Sequence, residues 1–380
     1  MWLRSHAGLL VCFLLQSAAY AQRPPRLDPT ESFRRPKLAA DADTNSWEAY
    51  FDFGVKQLRQ SPRKAEAAFV WSSRLNPTRA EPLFGRWVAF WRRNPGWFED
   101  YVAEKPWVID SPQILQVDSL YWRALLRNPF VPRHLAVLLY EQLPGRWGVD
   151  RFTIGVLAYS AGRYDEATQN FNRMLHDDSV KNYRVRFYLA LCHTATRQFD
   201  SAATQIRALL GEMHRRSEAH LAYFYDSREL LQYSLGMLHR AMGANAQASE
   251  DMGQSLTENL AFYPAHAELG ELALGADNKN QAVTEYAQAT ELGPDDGVMH
   301  YRYGQVLQLV GRLNEAEVEL RHAIELEPYY APAYFALALV LESLGQRPGA
   351  VEQYRIFLAL ADQGDTQIDL ARRRIAALSP

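Results

Sequence analysis

From Trp47 towards the C-terminal end, apolar residues recur at intervals of three and four with polar residues between them, and few stretches alternate with period two. That pattern predicts helices with one buried face and leaves little room for sheet. The helical segments are themselves periodic. Ala282, Ala316 and Ala350 stand 34 residues apart, Pro294 and Pro328 keep the same interval, and so do Leu269-Gly270 and Tyr303-Gly304. A fixed period of this length predicts helical hairpins stacked into an array. Each hairpin touches only its neighbours, so 380 residues, long for one compact core, is an ordinary length here.

The repeats 263–296, 297–330 and 331–364 are the most regular, and the middle one shows why each position is chosen. Gly304 and Ala316 are small, which lets two antiparallel helices approach closely. Gly311 supplies the positive φ that ends the first helix, Asn314 is a candidate cap for the second, and Pro328 cannot continue it. With these small-residue, Gly, Ala and Pro positions the chain resembles the tetratricopeptide repeat family. Earlier copies fit at 229–262 (Leu235-Gly236, Gly243, Ala248), 183–216 (Leu189-Ala190, Phe199, Ala202) and 148–182 (Ile154-Gly155, then Gly162 to Ala167 and Phe171). A spacer around 217–228 separates two of them, and 46–78 carries a further copy through Gly54, Ala65, Phe69 and Pro77. The fold expected is all-α, a tetratricopeptide-type helical-hairpin solenoid. Its right-handed superhelix is implied by the resemblance.

Residues 79–147 depart from the pattern, interrupted at Asn94-Pro95-Gly96, Lys105-Pro106 and Ser111-Pro112. Beyond the first residues, every tryptophan lies between Trp47 and Trp147. Region 46–147 is therefore expected to be a divergent, Trp-rich helical part with one or two degenerate repeats. Its rings serve either as wide core contacts or as an aromatic face for a sugar or peptide. Residues 365–380 are expected to cap the open end of the array, with Arg372, Arg373 and Arg374 on the solvated face.

The first 45 residues change the picture. Arg4, the apolar run Leu9–Leu15 and Ala19-Tyr20-Ala21 form the pattern of a secretory signal peptide over 1–21, cleaved after Ala21. The run is too short for a permanent span. A periplasmic or secreted protein without a membrane span after cleavage is expected, followed by a disordered or extended Pro-rich leader over 22–45. Cleavage would remove Cys12 and leave only Cys192, which excludes an internal disulfide and points to an inert buried thiol. Composition is that of a folded protein, 48% apolar and 22% charged. A formal net charge of −3 gives no field that favours nucleic acid.

Catalytic spacing is missing. There is no HExxH, no GxxxxGK and no GxGxxG after a strand, and no two histidines stand four apart on a helix face as a metal pair would. No cofactor or metal is expected, and His266 and His300 are read as equivalent structural residues one repeat apart. What remains is the surface formed by the first helices, where members of the family usually hold peptides. Carried over, its positions are Phe152, Val156 and Tyr159; Phe187 and Leu191; Tyr233, Met237 and Arg240; Tyr301 and Gln305; and Phe335. The Lys and Asn set with which chaperone-binding members clamp a carboxylate is absent. The expected function is a non-catalytic protein–protein interaction scaffold of the cell envelope, holding an extended or helical peptide in that groove. Two alternatives stay open: carbohydrate or cell-wall binding by the Trp-rich region, and a cryptic enzyme site there built from His134, Glu141, Asp118 or Arg133.

Overall fold

The computed structural model describes residues 33–102, 105, 108, 111–142, 151–175, 182–215 and 227–379, and among them every regular element is a helix. The signal segment 1–21 lies outside the described residues, as does most of the spacer around 217–228. The N-terminal part comprises α1 (Trp47–Gln57), α2 (Pro62–Leu75), α3 (Glu81–Arg93), α4 (Pro95–Val102), α5 (Pro112–Arg127), a 3₁₀ turn (His134–Ala136) and α6 (Val137–Tyr140). Two of the prolines that interrupt the family pattern start helices, Pro95 in α4 and Pro112 in α5, where a missing N–H costs nothing; Pro106 lies outside the described residues.

Six hairpins follow: α7 (Arg151–Ser160) with α8 (Tyr164–Met174), α9 (Asn182–Ala195) with α10 (Phe199–Arg215), and α11 (Arg228–Ala241) with α12 (Asn245–Glu258). Then come α13 (Tyr263–Gly275) with α14 (Lys279–Leu292), α15 (Gly297–Leu309) with α16 (Leu313–Leu326), and α17 (Ala331–Ser343) with α18 (Arg347–Leu360). The terminal helix α19 (Ile368–Leu378) buries Ala371 in the core of the last hairpins. Helix packing explains the small residues. A Cβ on Gly304 would sit 2.6 Å from the Leu320 side chain, and one on Gly270 would sit 2.8 Å from Tyr286, so neither helix pair could close with a larger residue. Asn314 is not the cap of α16. Arg312 holds the cap position without a capping bond, and its guanidinium pairs instead with Glu315.

The leader and α2 are tied to the C-terminal end of the array. Residues 33–45 have no regular structure, yet Phe33 is buried and its carbonyl accepts from Trp71 Nε1 at 2.9 Å. Asn45 Nδ2 donates to the carbonyls of Ala359 (2.9 Å) and Ala361 (3.2 Å), and the Gln363 amide donates to Asp43 at 2.6 Å. Trp71 meets Tyr329 edge-on at 5.0 Å. The N-terminal helices also share one core with Leu230, Tyr233, Met252, Phe262 and Ala265 of the repeats. The chain is thus an all-α solenoid whose N-terminal part folds back on the first helices of its own repeats.

Candidate functional site

The first helices of the repeats carry the predicted face, and the structure divides it in two. Phe152, Val156, Tyr159, Phe187, Leu191, Tyr233 and Phe335 are buried. Phe152 packs against Phe171 (5.9 Å) and Tyr188 (5.6 Å). Tyr159 accepts from the Arg133 amide at 3.2 Å and stacks on His134 at 4.9 Å. Burial pushes its hydroxyl up to about 12, with Arg133 opposing. Phe187 stacks on Phe130 (6.5 Å) and lies under the Arg133 guanidinium at 4.3 Å. Tyr233 donates to the Leu126 carbonyl at 3.4 Å, and Phe335 packs between Tyr354 and Phe357. Met237 is half-buried against the N-terminal core.

Partners of Tyr159, Phe187 and Tyr233 come from 126–134, up to 107 residues away in sequence. Periodicity identifies which residues face inward along a helix, and it is silent on which other segment of the chain meets that face.

The open part lies further along. Arg240, Tyr301 and Gln305 remain at least partly exposed, and Gln305 donates to the Tyr301 hydroxyl at 2.9 Å. Between α13 and α15 a groove of about 600 Å³ is lined by Glu271, Leu274, Tyr286, Arg302, Gln305, Val306, Gln308 and Leu309. Leu309 is 56% exposed at its edge. Charges pair at its base. Arg302 approaches Glu271 at 3.4 Å, Tyr286 donates to Glu271, and Arg240 pairs with Glu268. Burial raises Glu268 above the usual carboxylate range, and Arg240 and Arg302 partly offset it. The groove therefore offers an apolar wall, two amide side chains and a fixed ion pair, a set suited to an extended backbone with an apolar side chain.

Beside the groove runs a contact that sequence reasoning missed. Arg127 of α5 donates to Asp296 at 2.6 Å and to the Pro77 carbonyl at 3.1 Å, and Tyr263 donates to the same carboxylate at 3.0 Å. Burial alone would raise Asp296. The Arg127 charge and hydrogen bonds outweigh it and hold the carboxyl below its ordinary value.

The four residues suggested for a cryptic enzyme site do not converge. Asp118 accepts from Trp87 and Tyr101 at 3.2 Å within the aromatic core, and burial pushes it up to about 7 against those two bonds. Glu141 pairs with Arg59, His134 meets the Tyr164 hydroxyl, and Arg133 is buried over Phe187. Among the described residues no group of three or more His, Cys, Asp or Glu could hold a metal. His266 and His300 bind Glu285 (2.9 Å) and Glu319 (2.7 Å) at matching repeat positions. Cys192 is buried, and burial pushes its thiol up to about 12, so it is chemically inert at neutral pH. Trp71, Trp87 and Trp91 are core residues, and Trp47, Trp97 and Trp122 are half-buried.

Hairpins, close-approach glycines and a face of first helices together define a helical-repeat scaffold of the tetratricopeptide type, and nothing in it is gathered for catalysis among the described residues. A tetratricopeptide repeat family model matches residues 298–330. Superkiller complex protein 3 of Mus musculus is 26% identical over 98 residues, which is 26% of this chain and 6% of that protein. The chain therefore spans only a small part of that relative's length. Among solved structures, MamA is 19% identical over 45% of this chain and 94% of its own, with a TM-score of 0.39. YrrB, a TPR protein with an unusual peptide-binding site, is 15% identical over 55% of this chain and 99% of its own, with a TM-score of 0.41. No helix among the described residues is long and apolar enough to cross a membrane.

Proposed function

We propose that the chain is a non-catalytic interaction scaffold of the cell envelope that holds an extended or helical peptide segment of a partner protein. The seat is the groove between α13 and α15. The observation that carries this reading is the exposed Leu309 beside Leu274, Gln305 and Gln308 in a groove of about 600 Å³. An apolar side chain of the peptide would rest on the leucines, and the glutamine amides would meet its backbone. The envelope location rests on the signal-peptide pattern of residues 1–21.

Phe187 and Tyr233, two of the contact residues expected from the sequence, are poor probes of binding because they are buried. Truncating either to Ala would cost about 3–5 kcal/mol of stability. The clean test uses Leu309→Glu and Gln305→Ala in the immobilised protein, with retained envelope proteins identified by mass spectrometry. A protein retained by the wild type should be lost with Leu309→Glu and weakened with Gln305→Ala, at unchanged melting temperature. Equal retention by all three proteins would remove the groove from the mechanism.

A further inference from the structure

A cavity of about 570 Å³ lies where the N-terminal helices meet the repeats, and it shares no residue with the groove above. One wall comes from α2, α3 and α5 and carries Arg74, Arg86 and Arg123. The other comes from the end of α16 and the turns that precede α15 and α17, and carries Asp295, Glu325 and Glu327. Two contacts tie the walls together. Trp71 meets Tyr329 edge-on at 5.0 Å, and Arg127 holds Asp296 at 2.6 Å while it bonds the carbonyl of Pro77, a lining residue. The cavity is therefore organised before a ligand arrives, which lowers the cost of binding one.

Part of this charge is already committed. Arg86 lies 3.8 Å from the buried Glu66, and Glu325 lies 3.3 Å from His322. Among the described residues, Arg74, Arg123, Asp295 and Glu327 make no side-chain hydrogen bond or ion pair, so two cations on one wall stand opposite two carboxylates on the other. Arg74 rests over the Trp71 ring at 5.1 Å, a contact that leaves its charge intact. Arg123 and Asp295 are exposed, whereas Glu327 is half-buried. A Cβ on Gly297 would sit 2.6 Å from the Glu327 Cγ, so the glycine makes the room in which that stem lies. Burial raises the Glu327 carboxyl above the ordinary glutamate range, and Arg123, Arg127 and Arg74 pull it back through space. A carboxylate withdrawn from water normally has a donor of its own, and this one is placed to take a donor from a ligand.

We propose that this cavity binds a zwitterionic di- or tripeptide with free ends, its ammonium against Glu327 and Asp295 and its carboxylate against Arg123 and Arg74. A simple anion would satisfy the arginines and be repelled by the carboxylates, and a simple cation would meet the reverse. Only a ligand with opposite charges at its two ends satisfies both walls. Arginine suits the carboxylate end, because its planar fork matches two oxygens at once. Val70, Leu83, Leu326 and Tyr329 give apolar surface for the peptide's side chains. The volume falls in the range of about 300–1,000 Å³ typical of small-ligand sites, with room for two or three residues. This site is independent of the groove between α13 and α15, since the N-terminal helices form half of it.

The test uses the full chain and titration calorimetry with leucyl-leucine, its N-acetyl derivative and its C-terminal amide. The free dipeptide should bind and raise the melting temperature, and blocking either end should weaken binding about tenfold or more. Arg123→Gln should weaken leucyl-leucine about tenfold and remove most of its advantage over the amide, which has already lost that contact. Glu327→Gln should do the same to its advantage over the N-acetyl derivative. Arg372→Gln removes a charge from exposed α19 and should leave the affinity alone. Should Glu327→Gln disturb folding, Asp295→Asn at an exposed position carries the same test with a smaller expected loss. The proposal is overturned by no binding of leucyl-leucine, by blocked derivatives that bind as well as the free dipeptide, or by Arg123→Gln affecting binding no more than Arg372→Gln does. Equal weakening of all three probes in Arg123→Gln and Glu327→Gln would also overturn it, because both residues would then act through the fold and not through the peptide's ends.

Discussion

The turns inside the hairpins pass through the left-handed backbone region, at Gly162, Gly243, Gly311 and Gly345 and also at Arg197 (φ 59°) and Asp277 (φ 56°). A side chain in that region costs about 1–2 kcal/mol, less for Asp than for Arg. Arg197→Gly should therefore stabilise the protein by about 1 kcal/mol and Asp277→Gly by less, because glycine also loses more chain entropy on folding. Urea unfolding at neutral pH measures this, and a loss of stability in both variants would show that strain does not govern these turns. Three of the four glycine turns, Gly162, Gly243 and Gly311, were legible in the sequence as repeat landmarks. Residues 197 and 277 could be recognised only through the register of their neighbours, since neither residue type advertises a positive φ.

At the scale of elements, what matters is how α5 docks on α13 and α15. Arg127 and Asp296 are both largely buried and 2.6 Å apart. Removing one partner of such a pair leaves the other charge stranded, so Arg127→Ala should cost about 3–5 kcal/mol at pH 7. The pH dependence follows from the depressed carboxyl. Against the burial that would raise it, the Arg127 charge and hydrogen bond hold the Asp296 carboxyl below the ordinary aspartate value in the fold. Its contribution is thus present above about pH 4 and is lost as pH falls through the lower folded value. Below that point the protonated carboxyl no longer needs the guanidinium, and the gap between wild type and Arg127→Ala should narrow. Denaturant titrations at pH 7 and at successively lower pH below 4 compare them, and a gap that stays constant throughout would mean that Arg127 acts through packing and its bond to Pro77 instead. The helices themselves were readable from apolar period, proline and glycine. Their docking was not, because an arginine at the end of a helix looks the same in sequence whether it faces water or a carboxylate 169 residues away.

For the whole molecule, the contacts of residues 43 and 45 with 359–363 join the segment before α1 to the end of the last hairpin. An open solenoid frays from its ends, whereas here the last hairpin is held from outside the array. Asp43→Ala should speed hydrogen exchange at the Gln363 amide and raise exchange through α18 and α19. The melting temperature should change little, since exposed hydrogen bonds contribute about 0.5–1.5 kcal/mol each. Unchanged exchange at Gln363 would show that the junction is not what holds the C-terminal end.

The sequence by itself determined the all-α class, the 34-residue hairpin and the positions of its glycines and alanines, because helix period and close packing are local demands written residue by residue. Of the residues lining the candidate groove, the expected contact set named Gln305. Only the tertiary structure decided which part of the inner face stays open. The chain's own 126–134 segment covers Tyr159, Phe187 and Tyr233, whereas Phe152 and Phe335 are buried by neighbouring helices of the repeats themselves.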